Sequence, residues 1–164
     1  MKAIVFTSNT GHTKEYAAIL SEKTGLSAYS LECAVKQLPK NTEVIYAGWL
    51  FVNKVKGYKK AAKYFNIKAV CGIGLCDTGT AVVVVRKAND IPQEVPLFTM
   101  QGGIDKPKLR GINKYMIKML IKMMNSKKMP TDDDKRIIEL LNSDDNYVCE
   151  ENTEEFMKWY NNNK

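Results

Sequence analysis

One segment near the amino terminus constrains the fold of this chain more than any other. Residues 4–7 form an apolar run that ends in Thr7, residues 14–20 have helical composition and spacing, and the turn between them is rich in hydroxyl groups and glycine. The pattern predicts a buried parallel strand that leads directly into the amino terminus of a helix. The first N–H groups of a helix have no partner within it and lie at the positive end of the helix dipole. A turn at this position is therefore suited to bind an anion, above all a phosphate group.

The predicted phosphate-binding turn contains six candidate residues: Ser8, Asn9, Thr10, Gly11, His12 and Thr13. The three hydroxyl side chains can donate hydrogen bonds to an anion, and Gly11 allows the backbone to approach it without a Cβ atom in the way. We expect His12, the only histidine, to face solvent and to have no catalytic role. The alternative interpretation of the turn is a simple helix cap. The segment matches neither an ATP-binding loop nor the three-glycine dinucleotide fingerprint.

Apolar runs and helical patterns alternate along the chain, which is typical of an α/β sheet. The predicted strands are Lys2–Thr7, Ser27–Leu31, Glu43–Trp49, Lys68–Leu75 and Pro96–Gln101. The predicted helices between and after them are Thr13–Thr24, Cys33–Gln37, Val55–Phe65, Thr80–Asn89 and Lys106–Asn125. The valine run 82–85 also fits a strand, but a right-handed crossover between parallel strands needs a helix there. We therefore expect a five-stranded parallel sheet of order 2-1-3-4-5 with helices on both faces, which places ligands at the carboxyl ends of its strands.

The amino-terminal segment also resembles a known signature, that of the flavodoxin superfamily. The matching positions are Ile4, Val5, Phe6, Ser8, Gly11, Thr13, Ala17 and Leu20. The resemblance implies a flavodoxin-like fold and an FMN cofactor whose monophosphate lies in the turn. It also implies a redox function, in which the flavin carries the chemistry and the protein tunes it.

Under this resemblance, two further loops would hold the flavin ring. The loop after the third strand contains Gly48, Trp49, Leu50, Phe51, Val52 and Asn53, and the loop after the fourth contains Leu75, Cys76, Asp77, Thr78 and Gly79. Trp49 is the first candidate for stacking on the ring and Phe51 or Tyr58 the second, although each also fits the core. The second loop lacks the aromatic residue that many flavodoxins carry there. One face of the ring would therefore be open or covered by another part of the chain.

The segment after the last strand resembles one particular branch of the flavodoxin superfamily. A Gln-Gly-Gly turn at residues 101–103 is followed by Lys108-Leu109 and by a helix rich in lysine and methionine. These features resemble the flavodoxin-domain branch that includes the menaquinone-dependent protoporphyrinogen oxidase. The resemblance implies an FMN-dependent oxidoreductase with a quinone as electron acceptor and a porphyrinogen as substrate. The alternative is an electron carrier that docks a redox partner protein and has no small-molecule substrate of its own.

Charge is distributed unevenly along the 164 residues. Residues 1–130 contain 21 Lys/Arg and 8 Asp/Glu, whereas residues 131–164 contain 4 Lys/Arg and 10 Asp/Glu. We expect one domain over residues 1–164, with the acidic, partly helical extension 131–164 packed on the body, because its aromatic residues can be buried. A nucleic-acid partner is not expected, since the lysines lack interleaved aromatic residues or a known motif.

The predicted helix 106–125 has a lysine face and two apolar faces. Lys114, Lys118 and Lys122 lie on one side of the helix. A broad apolar arc is expected to pack on the sheet, and it consists of Ile112, Tyr115, Met116, Met119, Leu120 and Met123. A second apolar strip, formed by Ile117, Ile121 and Met124, borders the lysines. Apolar and cationic strips side by side suit a peripheral membrane contact or an acidic partner. The favoured alternative is that the acidic, aromatic tail covers both strips.

Several other classes of protein are excluded by composition. No apolar run reaches the 18 or so residues needed to cross a bilayer, and no leader pattern precedes the first strand, so we expect a cytoplasmic protein. The cysteines, Cys33, Cys71, Cys76 and Cys149, lack metal-ligand spacing, which argues against a zinc or iron–sulfur site. We expect them to be reduced and mostly buried.

Overall fold

Five parallel strands form the centre of the molecule in a computed structural model, which describes residues 1–164 apart from the side chain of Asp133. They are β1 (Ala3–Thr7), β2 (Ala28–Ser30), β3 (Glu43–Phe51), β5 (Asn66–Gly74) and β6 (Leu97–Gln101); a two-residue strand, β4 (Lys54–Val55), pairs antiparallel with the end of β3. The strand order is β2-β1-β3-β5-β6. Counted over the parallel strands alone, this is the predicted order 2-1-3-4-5, and the flavodoxin-like fold is confirmed.

The described residues form seven α-helices: α1 (His12–Thr24), α2 (Leu31–Gln37), α3 (Tyr58–Tyr64), α4 (Val82–Asn89), α5 (Gly111–Asn125), α6 (Asp132–Asn142) and α7 (Glu154–Asn163). The helical interpretation of the valine run is confirmed, because these residues form the first half of α4. Val85 is fully buried in this helix, whereas Val83 and Val84 are exposed. The parallel strands β5 and β6 need a helical crossover between them. This requirement outweighs the intrinsic preference of β-branched residues for strands.

Each face of the sheet carries its own apolar cluster. One cluster joins residues of α2, α3 and α4 to one face of the sheet, and it includes Ala34, Ala61 and Val85. The other joins α1 and α7 to the opposite face, and it includes Leu20 and Phe156. The prediction of helices on both faces is therefore confirmed, and α7 supplies half of one layer.

The aromatic residues of the tail pack in the second of these clusters. The Phe156 ring is fully buried, and its centroid lies 5.5 Å from that of Phe98 in β6 and 6.0 Å from that of Tyr160. The segment that leads into α7 is held by Asn152, whose Nδ2 donates to the Tyr16 hydroxyl at 2.8 Å. The expectation that these aromatic residues cover α5 is therefore wrong. They find a larger apolar surface on the sheet.

Helices α5 and α6 form an insertion between β6 and α7 and lie over the carboxyl ends of the strands. They build a third apolar cluster around Ile104, Leu109, Ile117 and Leu141. Two residues at the sheet edge, Phe51 at the end of β3 and Leu75 in the loop after β5, pack against this cluster. The insertion therefore covers the region where ligands of doubly wound folds bind.

Most of the face of α5 that was expected to pack on the sheet is instead exposed. Ile112, Tyr115, Met119 and Met123 are exposed, whereas Leu120 packs in the third cluster. The strip with Ile117, Ile121 and Met124 belongs to the third cluster, together with Ile137 and Leu141 of α6. The prediction from the width of the apolar arc was wrong because α5 packs on α6 and not on the sheet.

A tight hairpin at the end of β3 was not predicted. Val55 was expected to begin a helix, but it lies in β4, where it pairs with Leu50, and α3 begins only at Tyr58. The two residues of the turn have positive φ angles, 46° at Val52 and 61° at Asn53. A β-branched residue rarely adopts such an angle, so residues 52 and 53 do not resemble a typical hairpin turn.

The exposure of the cysteines differs from the expectation. Cys71 is buried, but Cys33 and Cys76 are exposed and Cys149 is intermediate, so the expectation of mostly buried thiols is wrong. No group of three or more potential metal ligands occurs among the described residues. Within the same part of the chain, no helix has both the length and the apolar character needed to cross a bilayer.

Candidate functional site

A cavity of about 360 Å³ lies at the carboxyl edge of the sheet, beneath α5 and α6. Its volume falls in the range of roughly 300–1,000 Å³ that is usual for small-molecule sites. The turn after β1, the hairpin at the end of β3 and the loop after β5 all contribute to its wall. These are the three segments that the sequence predicted to meet.

Most of the predicted site residues line this cavity. The lining includes Ser8, Asn9, Thr10, His12, Thr13, Trp49, Leu50, Phe51, Val52, Asn53, Leu75 and Cys76. Gly11 does not line it but forms the cap of α1, with a φ of 120°. Gly48 also lies outside the lining, and a Cβ atom there would lie 2.6 Å from Val55 Cγ1. Gly48 therefore allows the hairpin to fold back on β3.

The last three predicted residues, Asp77, Thr78 and Gly79, do not line the cavity. The side chains of Asp77 and Thr78 instead bond the loop after β5 to neighbouring segments. The Asp77 carboxylate forms an ion pair with Arg136 of α6 at 2.6 Å. The Thr78 hydroxyl accepts from the backbone N–H of Gln101 at 2.9 Å and donates to Asn152 at 2.6 Å. These bonds tie the loop to α6, to β6 and to the segment before α7.

One end of the cavity has the features of an anion site. Gly11 caps α1 without a side-chain hydrogen bond, so no side chain occupies the helix N-terminus. Ser8 Oγ is buried and has no hydrogen-bond partner among the described residues. Of the buried side-chain oxygen and nitrogen atoms in this part of the chain, it is the single one without a partner. A buried hydroxyl without a partner costs about 1–3 kcal/mol, so this group is an unused donor beside a cluster of backbone N–H groups.

His12 lies within this polar end and is only 7% exposed. Its Nδ1 is 3.2 Å from Thr10 Oγ1. Desolvation lowers the pKa of His12 from its usual value, although the nearby carboxylates of Glu15 and Asp105 oppose this shift. The expectation that His12 faces solvent is wrong, because the turn is covered by the segment after β6. A neutral imidazole thus lines the cavity near neutral pH.

The burial of His12 predicts a pH dependence of stability. Because its pKa is lower in the folded protein than the value of about 6.5 in an unfolded chain, the unfolded state binds more protons between the two pKa values. We therefore expect the free energy of unfolding of the wild type to fall as the pH falls below about 6.5. His12→Asn should lack this part of the pH dependence, as measured by urea unfolding at pH 7.5 and 5.5. An identical pH dependence in the two proteins would contradict this account of His12.

Two aromatic side chains form one wall. The centroids of Trp49 and Phe51 are 6.0 Å apart in an edge-to-face arrangement, and Lys56 Nζ lies 5.6 Å and 5.2 Å from the two rings. Both side chains line the cavity. Tyr58, the third aromatic candidate, is buried in the core, 6.3 Å from the Tyr46 ring. The wall can therefore offer aromatic contact to a planar ligand through Trp49 and Phe51.

The roof of the cavity was missed by sequence reasoning. It consists of apolar residues from α5 and α6: Ile117, Leu120, Met123, Met124, Ile137 and Leu141. Their helical spacing was visible in the sequence, but it gave no information on which surface they cover. The roof encloses one side of the cavity with apolar side chains. It thus lies where another part of the chain could make up for the aromatic residue that the loop after β5 lacks.

Polar contacts hold the roof on the loops beneath it. Asn113 of α5 donates from Nδ2 to Asn9 Oδ1 at 3.1 Å, and Arg136 of α6 pairs with Asp77. Asp134 lines the cavity and forms an ion pair with Lys127 at 2.5 Å. Hydrogen bonds from Lys127 and Thr131 lower the pKa of Asp134 to about 2. The Asp134 carboxylate is therefore ionised at neutral pH, and the cavity has one negative group on its roof side.

The sheet order and the position of the cavity define an α/β protein with a flavodoxin-like fold and a site at the carboxyl ends of its strands. In comparisons with known proteins, neither a family model nor a curated protein nor a solved structure matches this chain.

Proposed function

We propose that this chain is an FMN-binding, flavodoxin-like redox protein. The observation that carries the proposal is the buried Ser8 hydroxyl, which has no hydrogen-bond partner in the described part of the chain and lines the cavity beside a helix N-terminus that no side chain caps. Donors placed in this way are suited to a phosphate monoester. The aromatic wall and apolar roof next to them are suited to a planar ring system. FMN combines these two chemical parts in one molecule.

The residues of the chain have distinct tasks in this proposal. The hydroxyl groups of Ser8, Thr10 and Thr13 and the first N–H groups of α1 hold the phosphate, while Trp49 and Phe51 contact the ring. FMN, when bound, supplies reversible transfer of electrons to and from a second molecule. The apolar residues of α5 and α6 exclude water and lower the local dielectric constant, which strengthens electrostatic effects at the ring.

The favoured form of this function is an FMN-dependent oxidoreductase in the cytoplasm. The roof supports it, because a covered cavity suits a reaction on a small molecule. The sequence motifs point to a reaction like that of protoporphyrinogen oxidase with a quinone as acceptor. The second candidate is an electron carrier for an acidic redox partner protein, which the excess of Lys/Arg over residues 1–130 favours. Single-turnover oxidation of protoporphyrinogen, followed by flavin absorbance, distinguishes the two.

The test of FMN binding is a comparison of the wild type with Ser8→Ala. We expect the wild type to bind FMN with a change in the visible spectrum, and Ser8→Ala to bind it about tenfold or more weakly, since a hydrogen bond to a charged group is lost. The unfolding free energy of the ligand-free variant should be unchanged or up to about 1 kcal/mol higher, because a buried hydroxyl without a partner is removed. Fluorescence titration and urea unfolding measure the two effects.

Riboflavin and a distant serine provide the controls. Riboflavin has no phosphate, so Ser8→Ala should not change its affinity, and Ser27→Ala, at an exposed position before β2, should bind FMN like the wild type. A wild type that leaves the FMN spectrum unchanged would contradict the proposed function. FMN binding that is equally tight in Ser8→Ala would contradict the assignment of the phosphate to this turn.

A further inference from the structure

An uncovered apolar row runs along the outer side of α5. Ile112 is 74% exposed, Tyr115 65%, Met119 55% and Met123 60%. Met129, in the turn after the helix, is 88% exposed. With a rise of 1.5 Å per residue, the part of this row on α5, from Ile112 to Met123, is about 17 Å long. Single exposed apolar residues are common, but a continuous row of long apolar side chains indicates an interaction surface.

A row of lysines borders the apolar row on the same helix. At about 100° per residue, Lys114, Lys118 and Lys122 lie within an arc of about 80°, and the apolar row begins next to it at Tyr115. All three lysines are exposed, and none takes part in an ion pair among the described residues. Residues 106–131 contain eight Lys/Arg and no Asp/Glu. The face is thus both cationic and apolar.

We propose that this face of α5 docks on an anionic phospholipid membrane surface. An amphipathic helix lies in the plane of a membrane with its apolar side chains at the acyl boundary and its lysines at the anionic headgroups. Tyr115 lies between the two rows, a position that suits the membrane–water interface. The proposal concerns the outer surface of the protein and does not depend on FMN.

The other potential occupants fit this face less well. The tail of the same chain is already used, because α6 covers the opposite side of α5 and α7 packs on the sheet. A second copy would bring two clusters of lysines together without acidic residues between them, which disfavours association. Flexible methionine and isoleucine side chains on a convex helix are suited to a fluid acyl layer, which needs no matching groove.

Docking in this orientation would bring the cavity to the membrane. Met123 belongs to the exposed row and also lines the cavity, so the roof of the site and the docking face share a side chain. A molecule dissolved in the lipid would then reach the cavity beside α5 without crossing the aqueous phase. The inference therefore places the α5 side of the cavity at the bilayer surface.

Vesicle sedimentation with the full chain tests the proposal. We expect the wild type to sediment with vesicles of phosphatidylcholine and phosphatidylglycerol at a ratio of about 70:30, to bind vesicles of phosphatidylcholine alone much more weakly, and to be released at high salt. Lys118→Glu/Lys122→Glu should lower the partition coefficient tenfold or more. Ile112→Ser/Met119→Ser should lower it about tenfold, because two apolar side chains are lost from the acyl boundary.

The matched control moves the same charge change to another basic helix. Lys60 and Lys63 are exposed on α3, so Lys60→Glu/Lys63→Glu alters net charge equally but leaves α5 intact, and we expect it to bind within about twofold of the wild type. An equal loss in this control would overturn the proposal in favour of a general charge effect. So would a wild type that stays in the supernatant with the anionic vesicles, or a dimer in sedimentation equilibrium that Ile112→Ser/Met119→Ser dissociates. Far-UV circular dichroism confirms that each variant is folded.

Discussion

Replacement of Phe156 by alanine is expected to lower the free energy of unfolding by about 3–5 kcal/mol. The side chain is fully buried and contacts the rings of Phe98, Trp159 and Tyr160, so its removal leaves a cavity between α7 and the sheet. The expected loss is a large fraction of the 5–15 kcal/mol that stabilises an ordinary domain. Urea unfolding measures it as a lower midpoint with an unchanged slope.

An aromatic residue outside the core provides the control for this prediction. Tyr115 of α5 is exposed, so Tyr115→Ala should change the unfolding free energy by no more than about 0.5 kcal/mol. If Phe156→Ala were as stable as Tyr115→Ala, α7 would not be part of the core. Because α7 covers one face of the sheet, deletion of residues 131–164 should unfold the domain.

Gly57→Ala is expected to destabilise the protein by about 3 kcal/mol, from backbone strain and a steric clash together. Gly57 has a φ of 82°, and a Cβ atom there would lie 2.2 Å from the Tyr46 hydroxyl and 2.5 Å from Thr7 Oγ1. The Tyr46 hydroxyl is hydrogen-bonded to Thr7 at 2.8 Å and to the Lys56 carbonyl at 2.7 Å. Burial raises the pKa of Tyr46, so this buried group is neutral and depends on those bonds.

Gly25 separates the two contributions. It also has a positive φ, 73°, at the end of α1, but a Cβ atom there would meet nothing within 4 Å. Gly25→Ala should therefore cost only about 1 kcal/mol, for the strained backbone alone. Chemical unfolding of both variants gives the difference, and equal losses would show that the clash at Gly57 is relieved without cost.

The Gly57 variant should affect the site as well as the stability. The bonds of Tyr46 connect the end of β1, through Thr7, with the hairpin after β3, through Lys56. The phosphate-binding turn begins at the next residue after Thr7. A shift of this contact would move the turn relative to the aromatic wall, so FMN affinity should fall in Gly57→Ala and stay unchanged in Gly25→Ala.

Local patterns predicted the parts of the fold that depend on neighbouring residues. The apolar run before Thr7 and the helical spacing after it gave β1 and α1, and the alternation of elements gave the order of the parallel strands. The meeting of the three loops also followed, because parallel strands end at the same edge of a sheet. The cavity lining includes most of the residues chosen in this way, and the FMN ligand itself remains a proposal.

The wrong predictions concern which segments of the chain pack against each other. The apolar residues of α5 occupy two arcs, and their spacing does not indicate which arc is buried. In the structure α6 covers the narrower arc around Ile117, and Tyr115 and Met119 of the broader arc are exposed. The hairpin at Val52 was missed because its turn uses positive φ angles that disfavour a β-branched residue. Burial of His12 was missed for a similar reason, since the segment that covers it lies about 90 residues away in sequence.

Periodicity, glycine placement and right-handed crossovers are local or topological constraints, and they were enough to predict the sheet, its strand order and the helix N-terminus that faces the cavity. Three features became visible only in the folded domain: α7 completes a layer of the core, α5 and α6 cover the cavity, and the Ser8 hydroxyl is buried without a hydrogen-bond partner among the described residues. Burial depends on which apolar surfaces meet, and segments far apart in the chain can cover the same surface, so these features follow only from the packing of the whole domain.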